Sequence, residues 1–299
     1  MNRQKGDEVA NYTDSYNSDR QITQRAVYFY GASLSRASAA NSNDCTSQIN
    51  TYNGTKDITS TVATDLVNIK SITYNNITNR QKGDEVANYT DSYNSDRQIT
   101  QRAVYFYGAL LVRASAAGSE DTTGQINTYS ALKDITLATA IDVIDIKNIT
   151  YNDVASRQKG EEVANYTDSY NSSSVIIQRA VYFYGSSLSR ASAANSDDPT
   201  SQINTYNALK DITLATAIDT SGIKNITYNY IIGKEKGEEV ANYTDSYNSS
   251  GSVTQRAVYF YGASLSRASV AGSNDPTSQI NTYSGTKVIA TVTAAGQVF

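Results

Sequence analysis

The chain has 299 residues, with 24 tyrosines, one cysteine, no histidine and no tryptophan. Without histidine, and with a single cysteine, it lacks the parts for His-based catalytic triads and for the common His/Cys metal sites. Its net charge is −4 and it has no basic run, so we expect no nucleic-acid partner.

The N-terminal 18 residues contain no apolar signal segment, and no stretch is apolar enough to span a membrane. Charged residues make up 18%, below the roughly 25% typical of soluble domains, and Asn, Ser and Thr replace them. Such a surface is common in fibres and adhesins, which favours an extracellular or cell-surface location. Asn2 to Gly6 repeats the junction Asn79 to Gly83, so we expect the chain to open inside an array.

The sequence is dominated by an internal repeat. The octamer Gln-Arg-Ala-Val-Tyr-Phe-Tyr-Gly starts at Gln24, Gln101, Gln178 and Gln255, always 77 residues apart. This period predicts four tandem copies, at residues 3-79, 80-156, 157-233 and 234-299, the last of them truncated.

In the first copy, residues 10–17 alternate in a strand-like pattern that places Tyr12, Asp14 and Tyr16 on one face. This face points inward if Asp14 pairs with Arg25 or Arg36. Alternatively it points outward, as a strip that contacts sugar rings or another surface. The residues of this tyrosine–aspartate strip are Tyr12, Asp14, Tyr16, Tyr89, Asp91, Tyr93, Tyr166, Asp168, Tyr170, Tyr243, Asp245 and Tyr247.

The next segment, Ala26 to Tyr30, is β-branched and aromatic and ends at a glycine. Alternation places Val27 and Phe29 on one face and three further apolar residues on the other. Because both faces are apolar, the pattern predicts a central strand covered on both sides. The following stretch, Leu34 to Ala40, is ambiguous between a loop and one or two helical turns.

Gln48 to Tyr52 predicts a shorter strand, closed by the hairpin dipeptide Asn53-Gly54. Ile58 to Ala63 and Ile69 to Tyr74 predict a second pair of strands. The turn sequence Asp219 to Gly222 of the third copy supports a hairpin between them. A helix over Ile135 to Ile146 is the alternative in the second copy, since Leu137, Ile141 and Ile144 also fit a helical period.

These segments predict an all-β fold. A 77-residue unit can bury only a marginal core, and the junctions lack a flexible linker. We therefore expect four repeats stacked as an elongated β-solenoid-like array. The alternative is a string of independent small β-sandwich modules, like beads.

The candidate catalytic and metal motifs are weak. Asp7 and Glu8 are adjacent, so on a strand they would point to opposite faces and could not form a facing acid pair. Asp91 to Asp96 superficially resembles a calcium loop but lacks its spacing and its glycine, which indicates a solvated turn. We expect no enzyme, no metal and no cofactor.

The sequence favours a structural or adhesive repeat protein that forms an extracellular rod or filament and assembles end to end. Val288, Ile289 and Val292 are the candidate assembly strand, since this β-prone segment has no following partner strand. The alternative is a multivalent, lectin-like carbohydrate binder. The expected partners are other copies of the chain and a surface polysaccharide.

Overall fold

The computed structural model of the protein describes residues 8–17, 20–130, 133–207 and 210–294. The predicted limits of the repeats at residues 3 and 299, the segment Asn2 to Gly6 and the carboxylate of Asp7 lie outside these residues.

The described residues form eighteen β-strands and three short 3-10 helices. The strands are β1 Tyr12–Tyr16, β2 Ile22–Tyr30, β3 Ser35–Arg36, β4 Thr46–Asn53, β5 Ile69–Asn76, β6 Val86–Tyr93, β7 Ile99–Tyr107, β8 Val112–Arg113, β9 Thr123–Ser130, β10 Ile146–Asp153, β11 Val163–Tyr170, β12 Ile176–Tyr184, β13 Thr200–Asn207, β14 Ile223–Tyr230, β15 Val240–Tyr247, β16 Val253–Tyr261, β17 Ser266–Arg267 and β18 Thr277–Ser284. The 3-10 helices are Ala191–Ala193, Ile212–Leu214 and Ile289–Thr291. The predicted all-β class is confirmed.

The chain divides into two compact units, one containing β1 to β9 and the other β11 to β18. In the first unit, β1, β2, β4, β5, β6, β7 and β9 pair in that order, always antiparallel. In the second unit, β11 to β16 and then β18 pair in the same way. Two-residue strands such as β3 and β8 pair beside the long ones.

Strand pairing continues across copy boundaries inside each unit. β5 belongs to the first copy and β6 to the second, and they form a regular antiparallel pair. β14 and β15 do the same for the third and fourth copies. Independent beads would show a break in pairing at these points. The predicted β-array of joined repeats is therefore confirmed within each unit.

β2 is the central strand that its sequence predicts. It pairs with β1 on one side and β4 on the other. Val27 and Phe29 have no solvent exposure, and Tyr30 on the opposite face is 3% exposed. The Tyr30 hydroxyl donates to the carbonyl of Ala10 at 2.6 Å, which satisfies its buried polar end.

Each copy has a small core on both faces of its central strand. One core of the first copy consists of Val27, Phe29, Tyr52, Ile69 and Ile72, and the other of Tyr30, Ala37 and Ala40. The alanines belong to the ambiguous segment Leu34 to Ala40, which forms a two-residue strand and then one turn. In that turn, the amides of Ala39 and Ala40 donate to the carbonyl of Arg36 at 2.9 and 3.0 Å.

The segments between β4 and β5, and between their equivalents, are connectors whose described residues form no strand. The predicted strand Ile58 to Ala63 is wrong, and so is the alternative helix Ile135 to Ile146. Single turns replace them, such as the bond from the Ala138 amide to the Ile135 carbonyl at 3.3 Å. Ile141 is 89% exposed, so the apparent helical period does not mark a buried face.

The predicted hairpin at Asn53-Gly54 is also wrong, although Gly54 does end β4 with a φ of +61°. The partner strand β5 follows only after the connector of residues 54–68. The turn sequence of the third copy closes no hairpin either. It leads into β14, with Gly222 at a φ of +69°.

The candidate assembly residues Val288, Ile289 and Val292 do not form a strand. Ile289–Thr291 is a 3-10 helix. Ile289 packs against the cluster that contains Val258 and Phe260, and Val292 is 6% exposed. Only Val288 is largely exposed, at 66%. Ile289 and Val292 are therefore covered by their own copy.

The helices found in residues 8–17, 20–130, 133–207 and 210–294 are single short turns, none of which has the length or apolarity to cross a membrane.

Truncating the central strand tests the core. Phe106→Ala removes a ring that is 1% exposed and should lower the free energy of unfolding by about 3–5 kcal/mol, the usual cost of such a cavity. Leu110→Ala in the same copy is the control, because Leu110 is 89% exposed and should change stability by less than about 0.5 kcal/mol. Denaturant unfolding measures both. Equal effects would contradict the assignment of β7 as a central strand.

Candidate functional site

The aspartates of the tyrosine–aspartate strip form ion pairs with the neighbouring strand. Asp14 lies opposite Arg25 in the register of β1 and β2, and its two carboxylate oxygens accept from Nε and Nη2 of Arg25 at 2.6 and 2.7 Å. The same two-bond pairs recur as Asp91–Arg102, Asp168–Arg179 and Asp245–Arg256. Of the two arginines that the sequence allowed, the structure selects Arg25, because it is the direct cross-strand neighbour.

These ion pairs are buried and connect three parts of the copy. Asp91 is 2% exposed, and Arg102 donates a further bond to the carbonyl of Lys133 in the connector at 2.7 Å. The guanidinium also lies 4.6 Å from the ring centroid of Tyr89. Hydrogen bonding to Asp91 raises the pKa of Arg102, and hydrogen bonding from Arg25 lowers the pKa of Asp14. The aspartates therefore brace the sheet, and only the tyrosines of the strip can meet an external partner.

The tyrosines of the strip differ in exposure between copies. Tyr12 and Tyr16 are 42% and 52% exposed. Tyr89 is half-buried because Tyr74 of β5 stacks on it, with ring centroids 4.5 Å apart. Tyr151 stacks on Tyr166, and Tyr228 on Tyr243, in the same way. Burial raises the pKa of Tyr89 to about 12, so its hydroxyl stays neutral at physiological pH.

A row of three hydrogen-bonded polar side chains is buried beneath the connector. The sequence patterns above did not predict it. In the first copy, Gln48 Nε2 donates to Asn50 Oδ1 at 2.7 Å, and Asn50 Nδ2 donates to the Tyr52 hydroxyl at 3.0 Å. Gln48 and Tyr52 also donate to connector carbonyls. Asn50 and Tyr52 have no solvent exposure. The available signal was the alternation Gln-x-Asn-x-Tyr, which places three polar groups on one face.

A second arginine in each copy holds the connector in place. Nη1 of Arg36 donates to the carbonyls of Ile58 and Thr61 at 2.8 and 3.1 Å, and Nη2 donates to Asn11 Oδ1 at 2.6 Å. The guanidinium lies 5.6 Å from the ring centroid of Phe29. The sequence indicates Arg36 only as a possible partner of Asp14. Its function is to bind backbone carbonyls that no strand would otherwise pair.

An open polar groove lies where the connector of the first copy meets the turn after β6. Its cavity is about 270 Å³, and its lining includes Asn53, Asn68, Tyr93 and Arg97. A groove of about 470 Å³ lies at the corresponding place in the second unit, where Gly222 and Gly251 replace Asn68 and Arg97. Tyr93 is thus the strip residue that the structure places beside a groove.

The segment Asp91 to Asp96 forms a turn. The Arg97 amide donates to the Asn94 carbonyl at 3.0 Å, and the Gln98 amide donates to Asn94 Oδ1 at 2.9 Å. Asp91 faces Arg102 rather than the turn. In the part of the chain that the structure describes, no three Asp, Glu, Cys or His residues lie together as a metal site would require.

No known family of proteins matches this sequence, and no curated protein is detectably similar to it.

Removing one ion-pair aspartate tests its structural importance. Asp91→Ala leaves the buried Arg102 without its carboxylate and should lower the free energy of unfolding by about 3–5 kcal/mol. Asp96→Ser is the matched control, because Asp96 is exposed and serine stands at the same place in the third and fourth copies. That control should be within about 0.5 kcal/mol of the parent chain. Equal unfolding midpoints for the two variants would show that Asp91 does not brace the sheet.

Proposed function

We propose that the protein is a structural or adhesive repeat protein of the cell surface or extracellular space, which forms rods or filaments by associating end to end. The observation that carries this proposal is the pairing of strands across the copy boundary inside each unit, as in β5 and β6 or β14 and β15. Each added copy extends the sheet by the same backbone bonds that join strands within a copy. Copies can be added to the end of such a sheet one after another, so the architecture suits a rod or filament.

The strands β1 and β18 support association through strand edges. Within the described residues each of them pairs along one side only, β1 with β2 and β18 with β16. Ile280 of β18 is 53% exposed, whereas its equivalent Ile49 is half-buried in β4, which pairs on both sides. A strand edge with exposed apolar side chains is a template for pairing with another chain.

The composition supports an extracellular location. Asn, Ser and Thr supply most of the polar surface, and the single cysteine, Cys45, is buried in the first copy. A rod built of β-strands and polar uncharged side chains has little to bind nucleic acid, so we propose no such partner.

Association should depend on concentration and on the edge strand. Sedimentation velocity of the 299-residue chain should show larger species as concentration rises. Ile280→Lys places a charge on the β18 edge and should suppress them, because lysine on an edge strand opposes pairing. Val270→Lys is the control, since Val270 is 72% exposed outside the long strands and should associate like the parent. A single species for the parent chain at every concentration would refute end-to-end assembly.

A second candidate function is multivalent carbohydrate binding, favoured by the groove beside Tyr93. An aromatic ring next to the amides of Asn53 and Asn68 suits stacking on a sugar ring with hydrogen bonds to its hydroxyls. Each site alone would be weak, and several sites on one chain would add avidity.

The test for this candidate is titration of the chain with maltotriose, a neutral oligosaccharide, followed by NMR. Tyr93→Ala should abolish the chemical-shift changes at the groove beside Tyr93, whereas Tyr93→Phe should keep them because the ring remains. If maltotriose and a wider glycan array give no Tyr93-dependent binding, this candidate is excluded.

A further inference from the structure

The second arginine of each copy has an unused pair of hydrogen-bond donors. An arginine side chain carries five N–H donors. Arg36 uses three of them, two on Nη1 and one on Nη2. Its Nε is buried and makes no hydrogen bond to any described residue. The same three bonds and the same buried, unpartnered Nε occur at Arg113, Arg190 and Arg267.

The unpartnered Nε lies on the edge of the guanidinium that binds a carboxylate elsewhere in this protein. Arg25 holds both oxygens of Asp14 through Nε and Nη2. In Arg36 the same edge consists of the unpartnered Nε and of Nη2, which donates to Asn11 Oδ1. If Asn11 moves aside, this edge has both donors for two-bond recognition of a carboxylate.

The charge of the second arginine is also uncompensated. None of the ion pairs among the described residues involves Arg36, Arg113, Arg190 or Arg267. Burial lowers the pKa of Arg36, whereas the hydrogen bond to Asp14 raises the pKa of Arg25. A buried donor without a partner is unfavourable, and this unpartnered Nε recurs in every copy.

A cavity opens beside this arginine. In the first copy it measures about 210 Å³ and is lined by Asn11, Arg36, Ser38, Ile58 and Thr59. In the fourth copy a cavity of about 320 Å³ is lined by the equivalents Asn242, Arg267, Ser269, Ile289 and Ala290, among others. These volumes lie at or below the lower limit for drug-sized ligands, so one sugar ring or a smaller group fits.

We propose that the second arginine of each copy binds the carboxylate of a uronic acid residue in an acidic polysaccharide. The carboxylate oxygens accept from Nε and Nη2, and the Asn11 side chain, on the wall of the cavity, moves aside to open this edge. Ser38 and Thr59 then face the sugar hydroxyls. This site is separate from the Tyr93 groove and does not require self-association.

A polysaccharide suits the site better than an acidic peptide for two reasons. The cavity wall beyond the arginine offers hydroxyl and amide groups, which match a sugar ring. Four copies of one site on a single chain also match a polymer that carries a carboxylate on every repeating unit, because linked sites gain avidity.

Calorimetric titration of the full chain at low ionic strength tests the proposal. The probe is an oligomer of galacturonic acid, and the uncharged control is its methyl ester, which keeps the sugar rings. The acid should bind four sites per chain and weaken as salt is added, and the ester should not bind. A second titration uses an acidic peptide of equal charge, and it compares the affinity for a peptide carboxylate with the affinity for a sugar carboxylate. Tighter binding of the peptide would overturn the assignment to a uronic acid.

Two matched variants locate the site without removing the arginine that supports the fold. One combines Ser38→Glu, Ser192→Glu and Ser269→Glu, which places a tethered carboxylate two residues after three of the four second arginines. The other combines Ser33→Glu, Ser187→Glu and Ser264→Glu, which adds the same charge at exposed turn positions. Stoichiometry should fall from four to one in the first variant, where only the Arg113 site is open, and stay at four in the second. Equal binding by both variants, or equal loss, would refute the site.

Discussion

The buried aspartate–arginine pair determines the register of the whole repeat. Arg102 of β7 binds Asp91 of β6 and the carbonyl of Lys133 in the connector after β9, so one guanidinium links two neighbouring strands and the connector. Slipping β7 by one residue would separate the charges and turn its buried side chains to the opposite face. An unpaired charge in this place is strongly unfavourable, so only one register of these strands is favourable. Because β5 and β6 pair in the same sheet, this choice extends from one copy to the next.

The connectors explain why the sheet contains buried amides. One face of each copy is covered by irregular backbone, whose carbonyls lack strand partners and must accept hydrogen bonds from side chains. Gln125, Asn127 and Tyr129 supply these donors from β9, and Arg113 supplies two more. The apolar residues of the connector divide between core and surface, since Ala138 is 4% exposed and Leu137 is 69% exposed. The connector therefore needs both apolar contacts and buried donors from the sheet beneath it.

The sequence predicted what depends on local alternation. Val27 and Phe29 were placed correctly because a strand has a period of two, and both sides of that strand are apolar. The partner of Asp14 could be narrowed to two arginines, but the choice depended on strand register. The connector could not be predicted, because its carbonyls are bound by Arg36, which is more than 20 residues away in sequence. The periodic spacing of Leu137 and Ile141 therefore indicated a helix where none forms.

Differences among the copies separate the two candidate binding sites. The groove position Asn68 becomes Asp145 in the second copy and Gly222 in the third, and all three residues have a positive φ between 61° and 69°. Asn, Asp and Gly tolerate this backbone conformation best, so the turn is preserved while the groove changes its chemistry. The arginine cavities behave differently, because the second arginine and its asparagine partner are the same in every copy. A ligand that needs several equivalent sites therefore fits the arginine cavities, and a ligand of the groove would meet a different surface in each copy.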